Sequence, residues 1–181
     1  MKLSNGFLVA CLFALLAQGV LAQSAKSPAA QVKSAVPWSK HAMLMGPDVD
    51  CPAGSSTCDV PVTMSQGSIN GVSVCLARVP AQINVGGTSG TAPDKDIVWT
   101  LSPPTLPGVE LSFQTKHGIL TLADGNAQLK NFRPGATPAQ FIVTNKHKIR
   151  GDSIYLPVIL QKDAAGVVTM CAASDPKIVN F

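Results

Sequence analysis

The chain has 181 residues, 14 Lys+Arg against 10 Asp+Glu, with 13% charged and 46% apolar residues. That length suits one domain with a tail, and a net charge of only +4 excludes a strongly basic nucleic-acid binder and a disordered polyampholyte. Aromatics at 5%, with 15 Gly and 14 Pro, favour short strands and turns and exclude a coiled coil.

Residues 1–22 read as a secretory signal peptide. Lys2 supplies the positive start, residues 7–16 an apolar run, and Val20-Leu21-Ala22 the small or tolerated residues before Gln23. The run is too short for a membrane span, and no stop-transfer pattern follows. Cys11 lies within the run and not just after a cleavage site, so a lipid anchor is not expected. The expected product begins near Gln23, lies in the periplasm or outside the cell, and has no transmembrane span after cleavage.

Cleavage leaves 159 residues and four cysteines: Cys51, Cys58, Cys75 and Cys171. An even count in an oxidising compartment indicates two disulfides, for which three pairings exist. The small, turn-forming segment Pro-Ala-Gly-Ser-Ser-Thr favours Cys51–Cys58, which leaves Cys75–Cys171 to close nearly the whole domain. The spacing contains no compact C-x-x-C pair of the kind zinc sites use.

In chain order, residues 23–36 (QSAKSPAAQVKSAV) form a flexible tether, and residues 37–59 are a transition broken by Pro37, Gly46, Pro47, Pro52 and Gly54. From Val60 the texture changes to short runs rich in Val, Ile, Leu and Phe. They cover residues 60–64, 72–78, 82–85, 97–101, 109–113, 119–122, 127–132, 140–144, 153–161, 167–172 and 178–181. Turn residues separate them, among them Gly86-Gly87, Pro107-Gly108, Asp124-Gly125-Asn126 and Gly151-Asp152. The reading is all-β: one disulfide-stapled antiparallel β-sandwich over residues 37–181, immunoglobulin-like or cupredoxin-like.

Alternation over residues 72–76 puts Val72, Val74 and Leu76 on one face and Ser73 and Cys75 on the other. A core-facing Cys75 then conflicts with a core-facing Leu76 unless both faces are buried. The run over residues 154–160 holds Pro157, which cannot donate to a ladder, so an edge strand or a bulge is expected there. Trp99 is expected in the core.

Four stretches, Ile97-Val98-Trp99-Thr100-Leu101, residues 108–113, His117-Gly118-Ile119 and Asp175-Pro176-Lys177-Ile178-Val179-Asn180, carry a resemblance. Residues 96–181, about half the mature chain, resemble a loose group of small exported bacterial β-sandwich domains of uncharacterised function. These are similar in outline to cupredoxin-like and immunoglobulin-like sandwiches. The resemblance implies a sandwich and brings no catalytic residues. The order Cys75, Trp99, Cys171 is similar to an immunoglobulin domain's cysteine–tryptophan–cysteine series, but Trp99 follows Cys75 by 24 residues and Cys171 is near-terminal. A blue-copper pattern is missing, since no His follows Met170-Cys171.

Several residues carry possible chemistry. In an extended segment His41, Met43 and Met45 would share a face, offering an imidazole and two thioethers to copper. The alternative use of these methionines is gap-filling in a core. Asp48, Asp50 and Asp59 bracket the small cysteine loop and could offer oxygens to calcium, though no EF-hand pattern accompanies them. Lys146, Lys148 and Arg150, aligned on an extended strand, would form a patch for an anionic partner, or guard an exposed edge. His41, His117 and His147 are scattered, and Glu110 is the only glutamate and is expected to face solvent. Trp38 and Tyr155 are candidates for exposed sugar-stacking rings.

The resulting expectation is a secreted or periplasmic, non-catalytic binding or structural module without an organic cofactor. Its partner would be a protein or a cell-envelope glycan, not nucleic acid. The alternative is a periplasmic copper-binding protein using His41, Met43 and Met45.

Overall fold

β-Branched and aromatic residues at alternate positions, punctuated by Gly, Pro and Asp, build strands here throughout. The structure, a computed structural model, describes residues 45–69, 71–104 and 107–181. The expected leader at 1–22 and the expected tether at 23–36 lie outside the described residues. The described residues form fifteen strands and no helix.

The largest sheet runs in the order β1 (Met45–Gly46), β4 (Val72–Pro80), β3 (Thr57–Ile69), β6 (Lys95–Leu101), β10 (Gln140–Asn145) and β9 (Leu129–Pro134). β14 (Ala172–Ala173) also pairs with β4. A five-stranded sheet has the order β2 (Val49–Cys51), β5 (Gln82–Val85), β15 (Lys177–Asn180), β11 (Gly151–Pro157) and β8 (Ile119–Asp124). The third sheet is β13 (Val168–Met170), β12 (Ile159–Lys162) and β7 (Glu110–Phe113).

The core lies between these layers. Val60, Val62, Ile97, Trp99, Phe141 and Val143 of the largest sheet are buried with Ile83, Val85, Ile119, Tyr155 and Ile178 of the five-stranded sheet. Trp99 and Tyr155 meet across the layers edge-to-face, with ring centroids 5.2 Å apart. Phe113 and Phe141, 5.9 Å apart, join the third sheet to the largest one. Two disulfides bind the layers covalently. Cys51–Cys58 ties β2 to β3, and Cys75–Cys171 ties β4 to the residue between β13 and β14.

Two expectations need correction, and one that alternation left open, the core face of β4, is decided. The sheets are mixed, not antiparallel: β1 and β14 run parallel to β4, β2 and β15 parallel to β5, and β3 parallel to β6. Parallel neighbours need a crossover, and this chain supplies it by switching layers between strands, as from β4 to β5 across Ala81 alone. Apolar alternation reports burial and is blind to strand direction.

In β4 the core face carries Cys75, Ala77 and Val79, while Val72 is 63% exposed and Val74 and Leu76 are half-buried. The disulfide to Cys171 needs Cys75 inward, and Leu76 instead lies over Gly67 on the outer face, where a Cβ would collide with it. Finally, β11 is an interior strand, between β15 and β8, and the irregularity in its pairing falls between Ile154 and Tyr155, where β8 carries the extra residue. Pro157 ends β11, after which the chain passes into β12 of another sheet. A proline costs nothing where the ladder stops.

Candidate functional site

The third sheet shows two different faces. Ile159 and Phe113 are register partners and are buried in the core. Gln161 and Leu111 follow on the same face, where Gln66 of β3 donates to Gln161 at 2.7 Å. The opposite face carries the rows Ser112–Leu160–Met170 and Glu110–Lys162–Val168. Val168 and Met170 stand there well exposed.

Residues 134–139 form a wall beside that face. Phe113 N donates to Pro138 O and Leu101 N to Ala139 O, both at 2.9 Å, while Gly135 and Gln140 close a tight turn on each other and on Thr137. Pro134 and Pro138 have no N–H to donate, and they stiffen the segment. Between wall and sheet lie two adjoining hollows of about 390 and 500 Å³. They share Ser112, Thr137, Pro138 and Leu160, so they form one groove.

Its chemistry is apolar with a few hydrogen-bonding groups. Leu160, Val109, Val168 and the prolines supply contact area, and Ser112, Thr137 and Gln140 supply hydroxyls and an amide. The titratable groups in its lining are Glu110 and Lys162, which pair at 3.2 Å on the rim. Both are well exposed, so the pair contributes little to stability. Such a lining selects by shape and apolar contact.

The residues singled out from the sequence are distributed differently. Lys146, Lys148 and Arg150 follow the end of β10 in irregular backbone, with His147 between them at φ +33°. They therefore do not form an aligned row. Lys146 donates to Ala127 O at 2.9 Å, and Lys148 reaches Ala92 O and lies 3.7 Å from Asp94. Those ammonium groups hold neighbouring loops in place. Tyr155 is fully buried, so it offers no sugar a face; Trp38 lies outside the described residues.

Of the copper set, Met45 begins β1 and is half-buried, and its carbonyl accepts from Arg78 at 2.9 Å. His41 and Met43 lie outside the described residues. Asp50 accepts from Asn84 at 2.8 Å, while Asp48 and Asp59 are exposed. Among the described residues no three His, Cys, Asp or Glu side chains gather as a metal would require. His147 is buried, and its main-chain N–H donates to the Asn145 side-chain oxygen at 2.9 Å. Glu110 faces solvent.

Sequence reasoning missed a buried polar seam. Asn145 donates to Asn180 at 2.7 Å between two layers, and Lys95, 1% exposed, donates to Pro52 O in the small disulfide loop. Burial pushes the Lys95 ammonium pKa below its ordinary value. The groove was also missed, although Pro134-Gly135 and Pro138 within five residues were visible as a rigid turn segment.

No family model matches the chain, and no curated protein matches it. The groove's function has to be argued from its own chemistry.

Proposed function

We propose that the chain is an exported, non-catalytic binding module that receives an apolar protein segment in the groove between residues 134–139 and the third sheet. The observation that carries this reading is the joining of the two hollows over Ser112, Thr137, Pro138 and Leu160. A combined space of this kind takes several side chains of a partner. A protein segment fits better than a glycan. The groove's rings, Phe113 and Phe141, are buried in its floor, whereas sugar binding by stacking wants an open aromatic face. Export is supported by the leader-like residues 1–22 and by two disulfides, which persist in oxidising compartments. The immunoglobulin-like outline is part of this reading, supported by two facing sheets with Trp99 between them.

A photoreactive side chain placed at Ser112 in cells producing the protein tests it. The expected result is a discrete adduct with another envelope protein that is lost when Pro138→Arg fills the groove. Gly90, in a loop with open space around it, is the control position. Equal labelling from both positions, or none from Ser112, would overturn the reading.

A further inference from the structure

β13 (Val168–Met170) is the outermost strand of the third sheet and pairs only with β12 among the described residues. Cys171 N donates to Ile159 O at 2.9 Å, and Asp163 N to Val167 O at 3.0 Å. These bonds bracket the pairs Leu160↔Met170 and Lys162↔Val168, which makes Thr169 the residue bonded directly to Gln161. The N–H and C=O groups of Val168 and Met170 consequently point away from β12, along an edge that no other described strand covers.

That edge lacks the protections carried by the edge strands β9, β2, β7 and β8. β9 has Lys130, Arg133 and Pro134, β2 has Asp50, and β7 has Glu110. β8 has an extra residue, Leu122, opposite the step from Ile154 to Tyr155. Charges, prolines and bulges all discourage a further strand. Residues 164–174 contain no charged side chain, and Val167, Val168 and Met170 are 56%, 56% and 70% exposed.

We infer that β13 pairs antiparallel with β13 of a second copy of this chain, about a two-fold axis at Thr169. In that register Val168 lies opposite Met170 of the partner subunit, and each pair exchanges two main-chain hydrogen bonds, four in all. Both side chains lie on the groove face, so the row Ser112–Leu160–Met170 meets Val168 of the partner subunit and continues into the row that holds Lys162 of the partner subunit. The segment Val-Thr-Met is its own complement in this arrangement. It brings no like charges together, since Lys162 is already paired with Glu110. An isologous contact of this kind closes at two subunits. The inference rests on the edge geometry and holds whatever ligand the groove takes.

The contact is small, so the dimer is weak and concentration-dependent. Sedimentation of the purified protein between about 5 and about 500 µM, where small interfaces assemble, should show its mass rising toward twice that of one chain. Met170→Lys and Val168→Lys, both at exposed positions, should each raise the concentration of half-association at least tenfold. Thr169→Cys should cross-link two chains without reductant, because directly opposed Cα atoms of a non-bonded antiparallel pair lie about 4.5 Å apart. Leu122→Cys on β8 should not. A single-chain mass over the whole range, or association indifferent to both lysines, would overturn the inference. The wild-type and lysine measurements decide even if the cysteine variant misfolds. An envelope-protein adduct from Ser112 alongside a monomeric protein would leave the groove reading standing and remove this one.

Discussion

Trp99 and Tyr155 are both fully buried, and the indole N–H of Trp99 lies 3.3 Å from the Tyr155 hydroxyl. Burial, partly offset by that hydrogen bond, holds the phenol's pKa above its ordinary range, so the hydroxyl stays protonated. Tyr155→Phe would leave the indole N–H unsatisfied at the centre of the core. The expected cost is about 1–3 kcal/mol, read as a lower urea midpoint at unchanged slope. Asp94 has a different role at the surface. The hydrogen bond from Lys130 outweighs the opposing effect of burial and, with the charges of Lys130 and Lys148, holds its pKa below 3.8. A folded pKa below the unfolded one contributes stability that is present above the unfolded value and lost as pH falls through the folded one. Stability of the wild type should therefore fall more steeply below pH 3.8 than that of Asp94→Asn, as measured by acid titration of the unfolding free energy. Trp99 was legible as core because it sits within the apolar run of β6. Tyr155 was misread because Ser153, Ile154 and Leu156 around it obscure which face is buried. Lys146, Lys148 and Arg150 alternate in sequence, but periodicity implies a shared face only where the backbone is extended, and here it turns.

At the level of elements, the positions of the strands were largely readable and their partners were not. β6, β7 and β10 lie close to the runs expected from Val, Ile and Phe enrichment. β3 extends to Ile69, five residues beyond its expected end. The signal for that extension was Asn70-Gly71, a two-residue connection suited to a tight hairpin, with Gly71 at φ +81°. The inverted pleat of β4 was hidden because a half-exposed valine and a buried alanine contradict simple hydrophobic ranking. Only the Cys75 pairing reveals which face is inside. Gly118 shows how closely an element can approach the core. It is buried just before β8, and a Cβ there would overlap the ring of Phe141. Phe141 is itself fully buried against Phe113, so it has little room to yield. Gly118→Ala should cost about 1–3 kcal/mol by overpacking, visible as a reduced thermal midpoint. An unchanged midpoint would show that the ring moves freely.

For the molecule as a whole, the two disulfides differ in leverage. Cys75–Cys171 joins residues 96 apart in sequence, and Cys51–Cys58 joins residues 7 apart. Loop-closure entropy assigns about 4.7 kcal/mol to the long closure and about 2.5 to the short one. The double variant Cys75→Ala, Cys171→Ala should thus lose roughly twice the stability lost by Cys51→Ala, Cys58→Ala in denaturant titrations. The long closure also anchors the end of β13 to β4, which fixes the groove face relative to the largest sheet. The even cysteine count and the small residues between Cys51 and Cys58 made that framework readable from spacing. The groove was not readable, because residues 134–139 and the β12–β13 hairpin approach one another only once the layers have packed.

The most direct measurement is the intact mass of the protein recovered from the producing cells, taken after treatment with an alkylating reagent, without and then with reductant. A chain beginning near Gln23 that gains no alkyl groups until reduced, and then gains four, is the predicted result. Alkylation of these cysteines without reductant, or a full-length chain retained inside the cytoplasm, would contradict an exported module clamped by paired sulfurs.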